Sequence, residues 1–373
     1  MRDATRVELA DWDARTVDAP GGHVYQSCAW AEHRRTAGWT PRFLVTDDGG
    51  RVLGLTRGWA MIGGGSGYLP RGPVPSGLNG PVPAIEIARR QIAVAESLDG
   101  EGVDVVAADP EIPASEMAYR DSIVAAGFRP IEEIQPSRHR VSLPLEPGVD
   151  EPGVFEGIAR STRQRIRTAE RDGLLVVRHD TRLESGGAGG AGEGFSRPVE
   201  PARTALDRFY DLLLETGERR TFAFGPRAGF LAWWQAAHAA GHLVYLEARA
   251  PGERGEPLAG LVLYRHGGRL STVHSGDHAG TRRDHPGALH LLRWRAIQLA
   301  IREDCTELDL GGVDVVGARG EPREGDPLYG LYQHKRAFGG SWLELSGAHE
   351  LVLDRRGYLL GRLADRLARL GRR

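Results

Sequence analysis

Lysine is all but missing from this chain: of 48 basic residues, only Lys335 is not an arginine. Every other cation is a planar guanidinium that stays protonated, whereas an ammonium is a compact charge that can rotate and shift its pKa. Cysteine is nearly as scarce. Cys28 and Cys305 exclude a disulfide framework, and their separation offers no metal-ligand spacing, so both are expected buried and reduced. No apolar run reaches 18 residues, and the opening MRDATRVELADWDAR carries acids where a secretory signal needs a basic and then an apolar segment. A soluble, cytoplasmic chain is the expectation. The near absence of net charge, -2, excludes a globally basic nucleic-acid coat and leaves local arginine clusters to decide about polyanions.

What is present, 373 residues of average composition, has room for two domains or one large one. Ser27 to Ala37 reads as a short helix, with Ser27 as N-cap and Gly38 just past its end. PRFLVTD, the turn DDGG and RVLGLTRGWAMI predict a hairpin, and GGGSGYLPRGPV reads as a loop. Ile85, Ala88, Ile92 and Ala95 recur at helical spacing, VDVVAAD is a short buried strand, and Met117 to Ala126 is a helix stopped at Gly127.

The second half repeats this order. EPLAGLVLYRHGGRLSTVHSG is a hairpin, Pro286 to Arg302 a helix, and TELDLGG a strand. The interval from Gly54 to Asp104 matches that from Gly260 to Asp309 to within one residue, and each time a helix and a Gly-aromatic strand follow. The pattern predicts an internal duplication of two α/β units.

Between the units, Arg160, Arg163, Arg167 and Arg171 share one face of a helix, which suits either solvent or a polyanion's phosphates. Arg219, Arg220 and Arg227 form a second basic cluster between helices over Asp207 to Leu214 and Gly229 to Ala240. SGGAGGAGEGFSRP is a glycine-rich loop without chemistry. The tail from Arg355 to Arg373 is an amphipathic helix with seven arginines and one acid, Asp365. Its stripe of Leu359, Leu360, Leu363, Leu367 and Leu370 is expected to dock on a domain in preference to a membrane surface.

Several motifs fall away on inspection. GGGSG at Gly63 lacks the lysine of a phosphate loop, and its central Gly65 excludes a serine-nucleophile elbow. His274, Asp277, His278 and His285 fit no metal-ligand pattern, so no metal is expected. Asp109 ends the strand VDVVAA, where a carboxylate either accepts the proton of an attacking amine or caps a helix beginning near Pro113.

YLPRGPV at Tyr68 to Val74, DPE at Asp109 to Glu111, STRQRIRTAERDG, ELDLGGV at Glu307 to Val313 and PLYGLYQHKRAFGGSW together resemble the Fem family, FemABX, from about Gln26 to Leu353. These are aminoacyl-tRNA-dependent peptidyltransferases that build cell-wall peptide bridges. The resemblance implies an α/β chain of two tandem GNAT-like acyltransferase domains without a coiled-coil arm. The expected domains are 1–145, completed by the C-terminal helix 346–373, and 146–345. It also implies an aminoacyl-tRNA donor, an acceptor amine on a muropeptide or lipid-linked precursor, and no cofactor. Lys335 matches the family's lysine before FGG, and His334 replaces the aromatic residue common there, which either alters the pocket or adds a titrating group. On this reading Lys335 and Asp109 carry the chemistry. Tyr68, Arg71, Tyr332, His334 and Arg336 bind substrate, and Arg160, Arg163, Arg167, Arg171, Arg219 and Arg220 bind tRNA. A monomer associated with the inner face of the membrane is expected. The rivals are an acyl-CoA-dependent N-acyltransferase, against which RDHPGA at Arg283 to Ala288 is out of register, and a non-catalytic binding protein on the same scaffold.

Overall fold

Ser27 accepts a hydrogen bond from Trp30 N at 2.9 Å, and the helix it caps, α1 (Cys28–Thr36), ends before Gly38 at φ +81. That is the start and stop chemistry expected of these residues. The computed structural model describes residues 1–373 except 61, 78–79, 136–138, 186–191, 221–223, 253–254, 314–319 and 371–373, and without the side chains of 184–185, 220, 282 and 369–370. Residues 186–191 of the glycine-rich loop and the side chain of Leu370 thus lie outside the described residues.

Before α1 comes the short edge strand β1 (Arg2–Asp3), and after it β2 (Thr40–Val45) and β3 (Arg51–Gly58) form the expected hairpin. The segment read as a loop is in part a strand, β4 (Gly65–Leu69), antiparallel to β3. Its glycines hid it from propensity, yet they are required here. A Cβ on Gly67 would stand 3.2 Å from both Leu98 and Val106, so the helix packed above leaves no room for a side chain. Next follow α2 (Ala84–Asp99), β5 (Val105–Ala108) parallel to β4, α3 (Met117–Ala125) ended by Gly127 at φ +95, and β6 (Arg129–Pro130).

The chain continues through β7 (His139–Pro144), α4 (Arg160–Arg171), β8 (Leu175–His179), α5 (Ala202–Arg220), α6 (Arg227–Ala239), β9 (Leu243–Arg249), β10 (Pro257–His266) and β11 (Arg269–Asp277). Gly267 and Gly268, at φ +62 and +78, make the tight turn between β10 and β11. Then come α7 (Ala288–Arg302), β12 (Glu307–Asp309) parallel to β11, α8 (Tyr329–Arg336), β13 (Ser341–Glu344), β14 (His349–Val352) and α9 (Arg355–Leu370).

Two compact units result, Met1–His139 with Leu343–Arg373, and Arg140–Trp342. The strand orders are β1-β2-β3-β4-β5-β14-β6 and β8-β9-β10-β11-β12-β7-β13. Each sheet has four successive antiparallel strands, a helix that crosses to one parallel strand, and an antiparallel strand inserted beside it. The duplication is therefore real, but the equal intervals that suggested it are not its register. Parallel pairing opens at Ser66–Val105 in the first sheet and at Arg269–Glu307 in the second. Asp104 thus matches Thr306, not Asp309, and Asp109 matches Gly311.

The inserted strands are exchanged. β7 follows β6 in the chain yet lies in the second sheet, and β14 follows β13 yet lies in the first. Each unit has its own apolar core, around Leu69, Ile87, Leu98, Val106 and Tyr119 in one and Leu246, Leu263, Leu291, Leu308 and Phe338 in the other. Of the cysteines, Cys305 is buried and Cys28 only half-buried; both are free thiols.

The tail helix corrects the expectation that its leucines face a core. Gly357 and Gly361 face the first unit instead, where a Cβ would come within 2.2 Å of Asp104 Oδ1 and of Trp59 Cε2. Ala364 is buried on the same side. Small residues let the helix backbone approach closely, and the leucines are left outside.

Candidate active site

The first unit brings Tyr68, Arg71 and Asp109 together at the end of its parallel strand pair. Tyr68 Oη donates to both Asp109 carboxylate oxygens, at 3.0 and 2.9 Å, and Arg71 N donates to Oδ1 at 2.7 Å. The Arg71 guanidinium lies 3.9 Å from Oδ2. Arg71 has φ +49, a conformation costly for a non-glycine residue, and the bond from its own amide to Asp109 holds it there. Asp109 caps no helix: the N-cap of α3 is Glu116.

Burial raises the Asp109 pKa to about 6 even though Arg71 opposes the shift. Burial, with the Asp109 charge, also pushes the Tyr68 phenol well above its ordinary value, so it stays a protonated donor. Tyr68 lines a cavity of about 790 Å³ with Arg34, Trp39, Gln135 and Glu350, whereas Asp109 lies behind it. A phenol whose proton points at a carboxylate turns its lone pairs outward, where they can accept an N–H. Guanidiniums stack along the aromatic wall, with Arg34 5.6 Å and Arg57 5.0 Å from the Trp39 ring centre.

In the second unit Lys335 is buried, and its Nζ donates to Gly312 O at 2.7 Å. Gly311, at φ +80, makes this approach possible: a Cβ there would meet Thr272 O at 2.7 Å and Lys335 Nζ at 3.1 Å. The ammonium therefore sits where β11 and β12 cease to pair, beyond Ser271–Asp309. This is the position that Asp109 occupies in the first unit.

The other residues of α8 divide. Tyr332 lies in the core, with its hydroxyl bonded to Glu321 and its ring edge-on to Trp342. Arg336 is exposed, 3.8 Å from Glu321. His334 lines two adjoining cavities of about 650 and 610 Å³, and Arg165 and His290 line both. Burial, reinforced by Arg293, His290, Lys335 and Arg165, lowers the His334 pKa to about 2, and similar causes lower His290 to about 4. His334 is thus a neutral ring at physiological pH, not a titrating group.

Arg165, His290 and Arg293 were not singled out in the sequence. The available signal was a basic pair, His290 and Arg293, one turn apart inside the apolar helix α7. Two guanidiniums and two neutral imidazoles around the N-terminal end of that helix form a setting suited to an anion.

The arginine clusters differ in their partners. Arg160, Arg167 and Arg171 are exposed and Arg163 is half-buried, opposite the buried Thr162, Ile166 and Ala169; none has an acidic partner among the described residues. Arg167 lies over the Phe155 ring. Arg219 instead bonds Glu215 at 3.0 Å and Asp277 at 2.5 Å, and Arg227 pairs with Asp207 and Asp211. Arg219 thus differs from the α4 arginines in having acidic partners within its own unit. Arg220 closes α5, and its side chain lies outside the described residues. His274 packs against Phe224, Phe230 and Trp234, and His278 pairs with Glu215, so these two candidate ligands face different partners.

Comparison with known proteins places this geometry. FemX, known from a crystal structure, superposes with a TM-score of 0.75 at 17% identity, over 96% of this chain and 99% of that one. The fold is that of the Fem proteins. L-PGS from Bacillus licheniformis is similar at a TM-score of 0.52 and 13% identity, over 100% and 98% of the two chains. The acetyltransferase (GNAT) domain model matches residues 159–336, from the start of α4 through Lys335. No curated protein matches the sequence significantly. The Fem-like fold with its two GNAT-like domains and the domain match together support acyl transfer as the class of chemistry.

Proposed function

We propose that this chain transfers an amino acid from aminoacyl-tRNA to an amine of a muropeptide or lipid-linked precursor. One observation carries the donor: the α4 arginines stand without acidic partners among the described residues, beside a basic cavity, while Arg219 and Arg227 are neutralised internally. A tRNA phosphate backbone supplies what such a face lacks.

The ester of a charged tRNA is already activated, so the protein needs to orient it, free the amine of a proton and stabilise the oxyanion. In the first unit the attacking nitrogen gives its proton to Tyr68 Oη while Tyr68 passes its own to Asp109, whose pKa near 6 suits a base at neutral pH. Lys335, in the second unit, is the cation assigned to a substrate's negative charge, that of the oxyanion or of a phosphate. Collapse forms the amide, and the ribose oxygen leaves with the proton that Asp109 returns through Tyr68. Asp109 is thus assigned as base through Tyr68, with Arg71 as the residue that positions it.

Transfer of a labelled amino acid from charged tRNA to a muropeptide precursor tests the reading. Lys335→Met keeps the buried aliphatic stem and should lower the rate by about 10²-fold or more. A folded variant with the wild-type rate would remove Lys335 from the chemistry. The GNAT domain match favours a second reading, an acyl-CoA donor. Against it, Pro286 has no N–H to offer a pyrophosphate at the entry to α7. Calorimetry separates the two: saturable heat with acetyl-CoA and none with charged tRNA would reverse the assignment.

A further inference from the structure

Helix α9 is divided lengthwise into three sectors. Gly357, Gly361 and Ala364 face the first unit, which anchors the helix further through Tyr358 Oη on Glu350 at 3.1 Å and Asp365 on Arg57 at 3.5 Å. Leu359, Leu360, Leu363 and Leu367 point away, at 59, 60, 53 and 53% exposure. At 100° per residue, Arg355, Arg362 and Arg366 form a row along one flank of the leucines, and all three are exposed. The only acid of the tail, Asp365, is turned to Arg57 and away from this row.

Four half-exposed leucines on one helix face are costly in water unless something covers them. We propose that this face lies on the surface of an anionic lipid bilayer, with the leucines in the acyl boundary and the guanidiniums on lipid phosphates. The charge pattern selects this occupant. A second copy of the helix would bring two arginine rows together, seven arginines against one acid on each side. An RNA would neutralise the arginines but has no use for the leucines. A bilayer satisfies both sectors at once. No helix among the described residues is long and apolar enough to cross a membrane, so the attachment is to its surface.

Leu359 and Leu363 also line the cavity that holds Tyr68. Docking therefore sets the mouth of that cavity at the lipid headgroups, and among the acceptors of the proposed function it selects the lipid-linked one. This last step rests on the proposed function; the docking does not.

Flotation of the full chain with phosphatidylcholine vesicles, with and without phosphatidylglycerol, tests the docking without reference to activity. Binding is expected only with phosphatidylglycerol. Leu359→Gln with Leu363→Gln should weaken it at least about tenfold, and Arg362→Gln with Arg366→Gln should weaken it several-fold and remove most of its salt sensitivity. These side chains are exposed, so the variants should keep the wild-type circular dichroism and melting temperature. Three results overturn the proposal: wild-type protein that ignores the anionic vesicles, leucine variants that bind like wild type, or a wild-type dimer by light scattering that the leucine variants dissociate while neither binds vesicles.

Discussion

Asp109 works against the stability of the first unit whenever it is ionised. Its folded pKa of about 6 lies above the ordinary 3.8, so the native state holds the proton more tightly than the unfolded chain does. The contribution is fully favourable below the unfolded value and is lost as pH rises through 6, a swing of about 3 kcal/mol. Asp109→Asn removes the titration. The stability difference between variant and wild type, from urea unfolding at pH 4 and pH 7, should therefore move by roughly that amount in the variant's favour. A difference independent of pH would show that the carboxyl is not perturbed. In transfer assays the wild-type rate should rise through pH 6, and the variant should lack that limb. At this scale the sequence was informative where chemistry is unusual. A lone lysine and an acid at a strand end both stand out in a linear chain. Tyr68 and Arg71 were named there as substrate contacts, but that they hold Asp109 was not legible, because those bonds depend on a turn geometry that no local pattern encodes.

Among the elements, α9 and α4 carry opposite lessons. Alanine at Gly361 would press a methyl group into Trp59, so this variant should lose about 1–3 kcal/mol in thermal or urea unfolding, while Leu359→Ser should change stability by less than about 0.5 kcal/mol. The ordinary rule that leucine stripes face cores would give the reverse ranking. Periodicity found the helix correctly but could not say which face is inward, because close backbone approach favours glycine as strongly as burial favours leucine. In α4 the periodic arginines do face outward. Arg163→Ala with Arg167→Ala should weaken tRNA binding and flatten the slope of log affinity against log salt by about 1 to 2, read by filter binding across a salt series. An unchanged slope would leave α4 as a solvated face. Strand β4 was missed for a related reason. Its glycines read as loop in isolation, and only the packing of Leu98 above Gly67 makes them strand residues.

For the molecule as a whole, the repeat of element types was legible, and the fold it implies is the one found. The register was not, since the hairpin turns differ in length between the two sheets and equal intervals do not mark equal positions. Nor was the exchange of β7 and β14, because nothing in a strand's sequence names the sheet it will join. Deleting residues 346–373 removes β14 and opens the edge of β5. Amides of Val105–Ala108 should then lose their protection in hydrogen exchange, while those of β9 and β10 keep theirs. Retained protection in β5 would mean that the first sheet closes without its inserted strand.

That exchange also dictates an order of events during synthesis. Six strands of the first sheet precede every strand of the second in the chain, yet the first sheet lacks its inserted strand until His349–Val352 has been made. The second unit receives its inserted strand, His139–Pro144, before most of its other strands have been made. The second sheet therefore has all its strands once Ser341–Glu344 is made, while the first, begun earlier, keeps an open edge along β5 until β14 follows.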